Sequence, residues 1–421
     1  MVKAPPLKTT AMVGLLALHI AQVVNAGAVV LGSSSGRDFA TYHYAVQEAW
    51  AGGDPYDTRA LGRRARADGT RRGVHPYFYP PPFLLGMLWA VPLSLKSAYV
   101  VWFLIQEACA LAALAVMRRW LGASWLVLAL VLAAFTPVPD NLKMGQANLP
   151  VLLLTVLGLW RAARPEGGVL VGLAGMAKMS PALNLVGWVA QGRWRPALLA
   201  AATAVGVSLL ALPLVGFDTQ LRFYTEILPG FSTGEYHGLK VPITLPANHS
   251  IPDLFNQLWP GPDKHHLDPR AATASKVVSV GLLAALVPVF RRARGAVGEA
   301  CAFGALAVLF TLTPVYTYEH HLAFLLFPAV ALGVAVRRDL LPRGAGWVAL
   351  TAGFFTAWPL YFLRPAQKAL PALKWALQES KFAGAVVLGL LCAWAAWRSA
   401  AAQPDATPPD SAAGPRTPPG T

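Results

Sequence analysis

AMVGLLALHIAQVVNAGAVVL, residues 11–31, is an unbroken apolar-rich run that is followed five residues later by RDFATY, residues 37–42. About 20 apolar residues suffice for a helix to cross the hydrocarbon core of a bilayer. The run is too long for the core of a secretory signal, and Lys3 and Lys8 precede it. It therefore reads as a first membrane helix with its amino end in the cytoplasm. The stretch after it, Arg37 to Pro82, is polar, aromatic and turn-rich. It passes through Gly52-Gly53-Asp54-Pro55-Tyr56-Asp57 and closes with His75-Pro76-Tyr77-Phe78-Tyr79-Pro80-Pro81-Pro82. This places a carboxylate, Asp38, near the membrane–water boundary.

The rest of the chain repeats the pattern of the first run. Of 421 residues, 55% are hydrophobic and 13% charged. Apolar segments fall at 11–31, 82–95, 97–117, 122–137, 147–160, 168–177, 181–190, 195–216, 273–290, 298–314, 320–336, 345–363 and 383–398. Lipid-facing backbone must satisfy its own hydrogen bonds, which excludes open sheets and leaves an all-α polytopic membrane protein. Short basic loops at Arg118-Arg119, Arg161/Arg164, Arg193/Arg195, Arg291-Arg292 and Arg337-Arg338 mark the cytoplasmic face. With 82–95 only partly inserted, about 12 crossings close the parity. The loops 32–81 and 217–272 then lie outside the cytoplasm and carry short interfacial helices. The seven arginines of the first loop, Arg37, Arg59, Arg63, Arg64, Arg66, Arg71 and Arg72, run against this orientation. The tail 403–421 is rich in Pro, Ala, Asp and Thr and reads as disordered.

The net charge of +15 does not point to nucleic acid. In a chain of this kind Lys and Arg sit in loops and meet anionic lipid headgroups. The three cysteines, Cys109, Cys301 and Cys392, fall inside apolar segments at spacings that fit no metal or disulfide framework. No phosphate-cradling glycine loop, zinc motif or nucleophile elbow is present.

Several polar groups interrupt the apolar pattern. Asp38 can take a proton from an acceptor hydroxyl, or it can cap a helix Phe39–Trp50. On that helix Tyr42, Tyr44 and Trp50 suit headgroup depth. Tyr77, Phe78 and Tyr79 before three prolines form an extended aromatic segment, either a membrane anchor or a platform for a sugar ring. Lys143, Gln146 and Asn148 sit between two apolar segments, where polar groups tend to mark sites, although they also suit a helix start. Lys178 stands between Val169–Ala177 and Pro181–Ala190. It is placed to neutralise a phosphate or to snorkel to the headgroups. Glu319-His320-His321 opens segment 320–336. Adjacent histidines point to different faces of a helix, so they make a poor metal pair. One of them facing a cavity can donate to a phosphate or hold an acceptor hydroxyl, or the two can cap a helix at the interface. Glu107, next to Gln106 within 97–117, is a costly intramembrane carboxylate that would suit a proton-coupled transporter.

In their order these motifs resemble glycosyltransferase family 87, the polyprenyl-phosphate-mannose-dependent mannosyltransferases of the multi-helix GT-C class. The resemblance runs through Asp38-Phe39 with Tyr42, Gly53-Asp54-Pro55-Tyr56, Tyr79-Pro80-Pro81, Gly145-Gln146 with Asn148, Lys178 with Pro181, and Thr313-Pro314 leading to His320-His321. It covers Asp38 to about Phe327. Tyr318-Glu319 departs from the Trp-Asp often found there, and the insert Arg59–Arg72 has no clear counterpart. The resemblance implies a catalytic aspartate at Asp38. It implies a polyprenyl-phosphate sugar donor, usually mannose, and inverting transfer to a hydroxyl of a glycolipid or glycan. Lys178, Lys143, Gln146, Asn148, His320, His321 and Tyr79 are the candidates for binding donor phosphate and sugar. No cofactor or bound metal is required on this reading, and assistance by a divalent cation stays open. Alternatives are an arabinosyl or glucosyl lipid as donor on the same scaffold, or a lipid or sugar transporter without catalysis. The expected location is the cytoplasmic membrane, with the site on its outer face and residues 1–402 forming one domain.

Overall fold

The structure, a computed structural model, describes residues 7–32, 37–70, 74–233, 242–359 and 363–402. The tail 403–421, Arg71 and Arg72, and residues 234–241 of the second long loop lie outside the described residues. Every regular element among the described residues is helical. The chain begins with α1 (Leu7–Gly32), α2 (Arg37–Trp50) and α3 (Thr58–Ala67), followed by a 3₁₀ segment Pro81–Ala90. Next come α4 (Leu95–Leu121), α5 (Trp125–Ala134), α6 (Pro137–Met144), α7 (Asn148–Trp160) and α8 (Pro165–Ala177). A 3₁₀ turn, Ser180–Leu183, leads to α9 (Asn184–Ala190) and α10 (Trp194–Val215). The second loop carries α11 (Phe217–Arg222), a π-turn Phe223–Ile227, α12 (Leu228–Thr233) and α13 (Ile251–Leu258). The chain continues with α14 (Pro269–Arg292), α15 (Gly295–Leu312), a 3₁₀ segment Glu319–Leu325 and α16 (Leu326–Arg337). It ends with α17 (Arg343–Ala357), α18 (Arg364–Ala369) and α19 (Lys374–Ala402).

Seven helical stretches are long and apolar enough to cross a membrane: Lys8–Gly32, Leu95–Leu121, Trp194–Val215, Pro269–Arg292, Gly295–Leu312, Glu319–Arg337 and Pro371–Ala402. The pair α5 and α6, bent by 58° at its break, makes an eighth if counted as one span. The chain is thus a polytopic all-α membrane protein, but the expected count of about 12 spans is not reached. The shorter apolar segments explain the difference. Segments 147–160 and 168–177 become helices of 13 residues. At a rise of 1.5 Å per residue each is about 20 Å long, short of the ~30 Å hydrocarbon core. Segment 181–190 is broken into a turn and the seven residues of α9, because Pro181 restricts the backbone on its amino side. Segment 82–95 is a 10-residue 3₁₀ helix and a turn, not a span.

Helix ends sort by chemistry. At one end Arg118 lies over Trp125, Arg193 pairs with Glu299, Arg292 lies over Trp397, and Arg337 bonds Ser124. The site described below gathers at the opposite ends of the same helices. In the middle, α15 is buried along most of its length and packs on α14, α16 and α19. Helices α8 and α10 approach closely because Gly168 and Gly172 offer no side chain. A Cβ there would meet Pro196 O and Ala200 O, each at 2.6 Å.

One expectation about the first loop needs correction. Helix α2 does not lie at the membrane surface by its aromatic face: Tyr42 and Tyr44 are buried in the protein, and Trp50, 65% exposed, is the one of the three that faces outward. The arginine-rich insert has a structural use. Helix α3 docks on α2 through Ala60, Leu61 and Ala65, and Arg64 pairs with Glu48, while Arg59, Arg63 and Arg66 remain exposed.

Candidate active site

Asp38 lies in the first turn of α2, and its orientation is set from a distant part of the chain. Gln146 Nε2 donates to Asp38 Oδ2 at 2.8 Å. The Gln146 amide is itself fixed: its Oε1 accepts from the Tyr42 hydroxyl at 2.9 Å and from the Tyr79 hydroxyl. Both phenols are held well above their ordinary pKa, chiefly by burial, so they stay donors and the amide cannot flip without losing both bonds. Gly145 makes the approach possible. It closes α6 with φ +72°, and a Cβ there would sit 2.6 Å from Phe39 Cβ. The same turn is held by Trp102 Nε1, which donates to Gly145 O at 2.7 Å.

Two histidines flank the carboxylate. His75 Nε2 is 4.0 Å from Oδ1 and half-exposed; His320 Nε2 is 3.9 Å from Oδ2 and buried. His320 Nδ1 in turn faces Asp140 Oδ2 at 3.9 Å. His321 points elsewhere, as adjacent residues on a helical turn must. Its Nδ1 accepts the Tyr318 N–H at 3.0 Å, which places its proton on Nε2 as a donor. His321 lines the cavity.

Lys178 follows the last turn of α8 and turns inward rather than to the headgroups. Its Nζ donates to Asn148 Oδ1 at 2.6 Å. It lies 6.0 Å over the Tyr79 ring and 5.7 Å over the Phe324 ring. Burial pushes its ammonium down to about 7, opposed by attraction to Asp38. Asn148 is a hub behind the wall: its Nδ2 donates to Asn141 Oδ1 and to His320 O, both at 2.8 Å. It thus ties Lys178 to the turn that carries His320.

These groups line a cavity of about 700 Å³. Its walls are mostly apolar and aromatic, with Phe78, Tyr79, Phe231, Tyr316 and Tyr318 among them. A few convergent polar groups in an apolar hollow are the usual form of a small-molecule site. The second loop closes one side. Asn248 Nδ2 donates to Val315 O at 2.9 Å, His249 N to Thr317 O at 2.8 Å, and Ser250 Oγ to Val315 O at 3.0 Å. The Gly53-Asp54-Pro55-Tyr56 turn bolts this loop to the first one. Arg222 pairs with Asp54 at 2.5 Å, Tyr56 stacks on Phe223, and the Tyr56 hydroxyl donates to Tyr79 O at 2.7 Å.

Of the residues singled out in the sequence, Asp38, Tyr79, Gln146, Lys178, His320 and His321 come together on this cavity, with Asn148 directly behind. Lys143 does not line it. The turn at Gly145 sends its side chain away, and its carbonyl accepts the Tyr99 hydroxyl. Glu107 is not on the cavity either; it pairs with His19 of α1 at 2.8 Å. Glu319 joins a buried triad with His249 and Lys381, at 3.3 and 2.8 Å. His75 and Lys276, which sequence reading did not weigh, also line the cavity. Lys276 carried a usable signal, since it is a cation inside apolar segment 273–290. Among the described residues no group of three or more His, Cys, Asp and Glu is arranged to hold a metal ion.

Comparison with known proteins supplies the context. The profile of glycosyltransferase family 87 matches residues 77–317, more than half of the chain. Two relatives come from Mycolicibacterium smegmatis. One is a polyprenol-phosphate-mannose-dependent alpha-(1-2)-phosphatidylinositol mannoside mannosyltransferase, 28% identical over 39% of this chain and 43% of its own length. The other is a polyprenol-phosphate-mannose-dependent alpha-(1-2)-phosphatidylinositol pentamannoside mannosyltransferase, 26% identical over 79% of this chain and 78% of its own length. The match thus spans less than half of the first relative and more than three quarters of the second. No solved structure matches the chain.

Proposed function

The chain belongs to glycosyltransferase family 87, and from that premise we propose that it moves a hexose, mannose by preference, from a polyprenyl phosphate to a hydroxyl of a membrane glycolipid, with inversion, on the outer face of the cytoplasmic membrane. The observation that carries the reading is the arrangement of Asp38 and Lys178. A carboxylate held by Gln146 and a cation held by Asn148 share one cavity wall beside Tyr79.

The chemistry then divides between two ends of one reacting centre. Asp38 takes the proton of the acceptor hydroxyl as its oxygen attacks the anomeric carbon. The bond from that carbon to the phosphate oxygen breaks, and its electron pair leaves on the lipid phosphate. A phosphate leaving group needs charge stabilisation more than a proton, and Lys178 with the Nε2–H of His321 supplies it. Tyr79 offers its ring face to the sugar. His75, half-exposed beside Asp38, passes the proton on to water. The polyprenyl tail lies between helices and gives binding energy remote from the chemistry.

We also propose that the cavity opens on the membrane face opposite the arginines, because the site gathers at the helix ends away from Arg118, Arg193, Arg292 and Arg337.

Purified protein in liposomes, given labelled polyprenyl-phosphate-mannose and a phosphatidylinositol-mannoside acceptor, is expected to move label into the glycolipid. Label moving only from an arabinosyl or glucosyl lipid would correct the sugar. No transfer from any of these donors would overturn the reading. The same assay tests Lys178. With its ammonium pushed down to about 7, the free site is charged below that pH and neutral above it. The kcat/KM for donor is expected to fall as pH rises through about 7. Lys178→Arg, charged throughout, is expected to move or abolish that limb even where it lowers the rate.

A further inference from the structure

Lys276 has no part in the mechanism above, yet it lines the same cavity. It sits in α14, within the candidate span Pro269–Arg292. Seven residues from the start of that span, it is about 10 Å along the helix axis. It is exposed and forms no hydrogen bond or ion pair with any described residue, and a cation within an apolar span needs an anionic partner or the interface. Ala272, Ser275, Lys276 and Ser279 follow helical spacing and present one small, polar stripe to the cavity. The neighbouring stripe is apolar and turned outward, with Val277 65% and Val280 66% exposed. Val280 also lines the cavity, so the hollow opens sideways towards lipid beside Lys276.

We infer that Lys276 and Ser279 bind the phosphodiester of an anionic glycophospholipid acceptor that lies along α14 and reaches its sugar across the cavity to Asp38; this rests on the proposed glycosyl transfer. Ser275 cannot share the task as a donor, because its hydroxyl proton already goes to Ala271 O at 2.6 Å. The Ser279 hydroxyl has no partner among the described residues and can donate. The position separates this phosphate from that of the donor. A donor phosphate is bonded to the reacting carbon, so it must lie beside Asp38 and therefore by Lys178. Helix α14 belongs to another wall. It packs on α9, α13, α15 and α19, whereas α2 packs on α3, α4, α6 and α10. A phosphatidylinositol glycoside carries its phosphate at least a sugar ring away from a reacting sugar hydroxyl, which suits an anion bound on α14 and a hydroxyl at Asp38 on different walls of one cavity.

The test uses the whole protein in liposomes, with Lys276→Gln and Lys276→Arg. Lys276→Gln is expected to raise the KM for a phosphatidylinositol-mannoside acceptor about tenfold, with kcat and the donor KM nearly unchanged. Lys276→Arg is expected to restore it. With octyl mannoside, an acceptor that has no phosphate, the glutamine variant is expected to match the parent protein. An unchanged acceptor KM would mean that the lysine merely snorkels. An equal loss with octyl mannoside, or a raised donor KM instead, would equally overturn the assignment. A second readout does not need catalysis. Native mass spectrometry of the protein released from mixed phosphatidylinositol and phosphatidylcholine is expected to show bound phosphatidylinositol, and less of it for Lys276→Gln. Absence of transfer by the parent protein would defeat the proposed activity alone. Equal retention by parent and variant would defeat the lipid site.

Discussion

Asp38→Asn is expected to abolish sugar transfer without unfolding the protein. Asparagine has nearly the shape of aspartate, and its Oδ1 can still accept the proton that Gln146 Nε2 now gives to Asp38 at 2.8 Å. The aromatic packing of α2 around Phe39 and Tyr42 is untouched. What disappears is the capacity to take a proton from the acceptor hydroxyl. Removal of a positioned general base costs roughly 10²- to 10⁴-fold in rate. Loss of the charge beside Lys178 should also weaken the hold on that ammonium, since Asp38 is the group that raises its pKa. The measurement is label transfer from polyprenyl-phosphate-mannose at matched protein levels, with donor binding followed separately. The expected outcome is a kcat at background with donor still bound. An asparagine variant with full kcat would leave the carboxylate as a helix-start residue and remove it from the mechanism.

Much of this site was legible in the sequence, for a physical reason. In a chain that is 55% hydrophobic, polar groups at segment boundaries stand out, because burying them in an apolar medium needs a partner or a purpose. Asp38, Gln146, Asn148, Lys178 and His320 were conspicuous on that ground, and the fold brings them together. The span count was less legible. Hydropathy sees α7 and α8 as apolar, but only the structure shows that each is limited to 13 residues, with Asn148 at the start of α7 and Lys178 at the end of α8 serving the cavity. Amphipathic position misled the reading of α2, because Tyr42, on the face that looked interfacial, packs instead on Tyr79 and Phe83. Lys143 failed for the opposite reason. It lies three residues from Gln146, but the left-handed backbone at Gly145 turns the two apart. Such a turn directs side chains in a way that spacing alone does not reveal.

Glu319→Ala is expected to cost more stability than any change to the cavity wall. Glu319 joins three parts of the molecule. Its Oε1 faces His249 of the second loop at 3.3 Å, its Oε2 meets Lys381 of α19 at 2.8 Å, and it begins the turn that carries His320. The Lys381 side chain is fully buried. Removing the carboxylate would leave that ammonium with two backbone carbonyls, Thr356 O and Ala357 O, and without its directly paired countercharge, the Asp140 carboxylate acting only from a distance. Breaking a buried pair from one side costs about 3–5 kcal/mol. Replacing both partners costs much less, because neither charge is then stranded. Thermal loss of monomer in detergent should therefore shift strongly for Glu319→Ala and recover largely in Glu319→Gln/Lys381→Met. Activity separates support from chemistry. If Glu319 only holds the loop, α19 and His320 in place, transfer should fall with stability in the single variant and return with it in the double one. A double variant as stable as the parent protein but inactive would instead put the Glu319 carboxylate in the reaction.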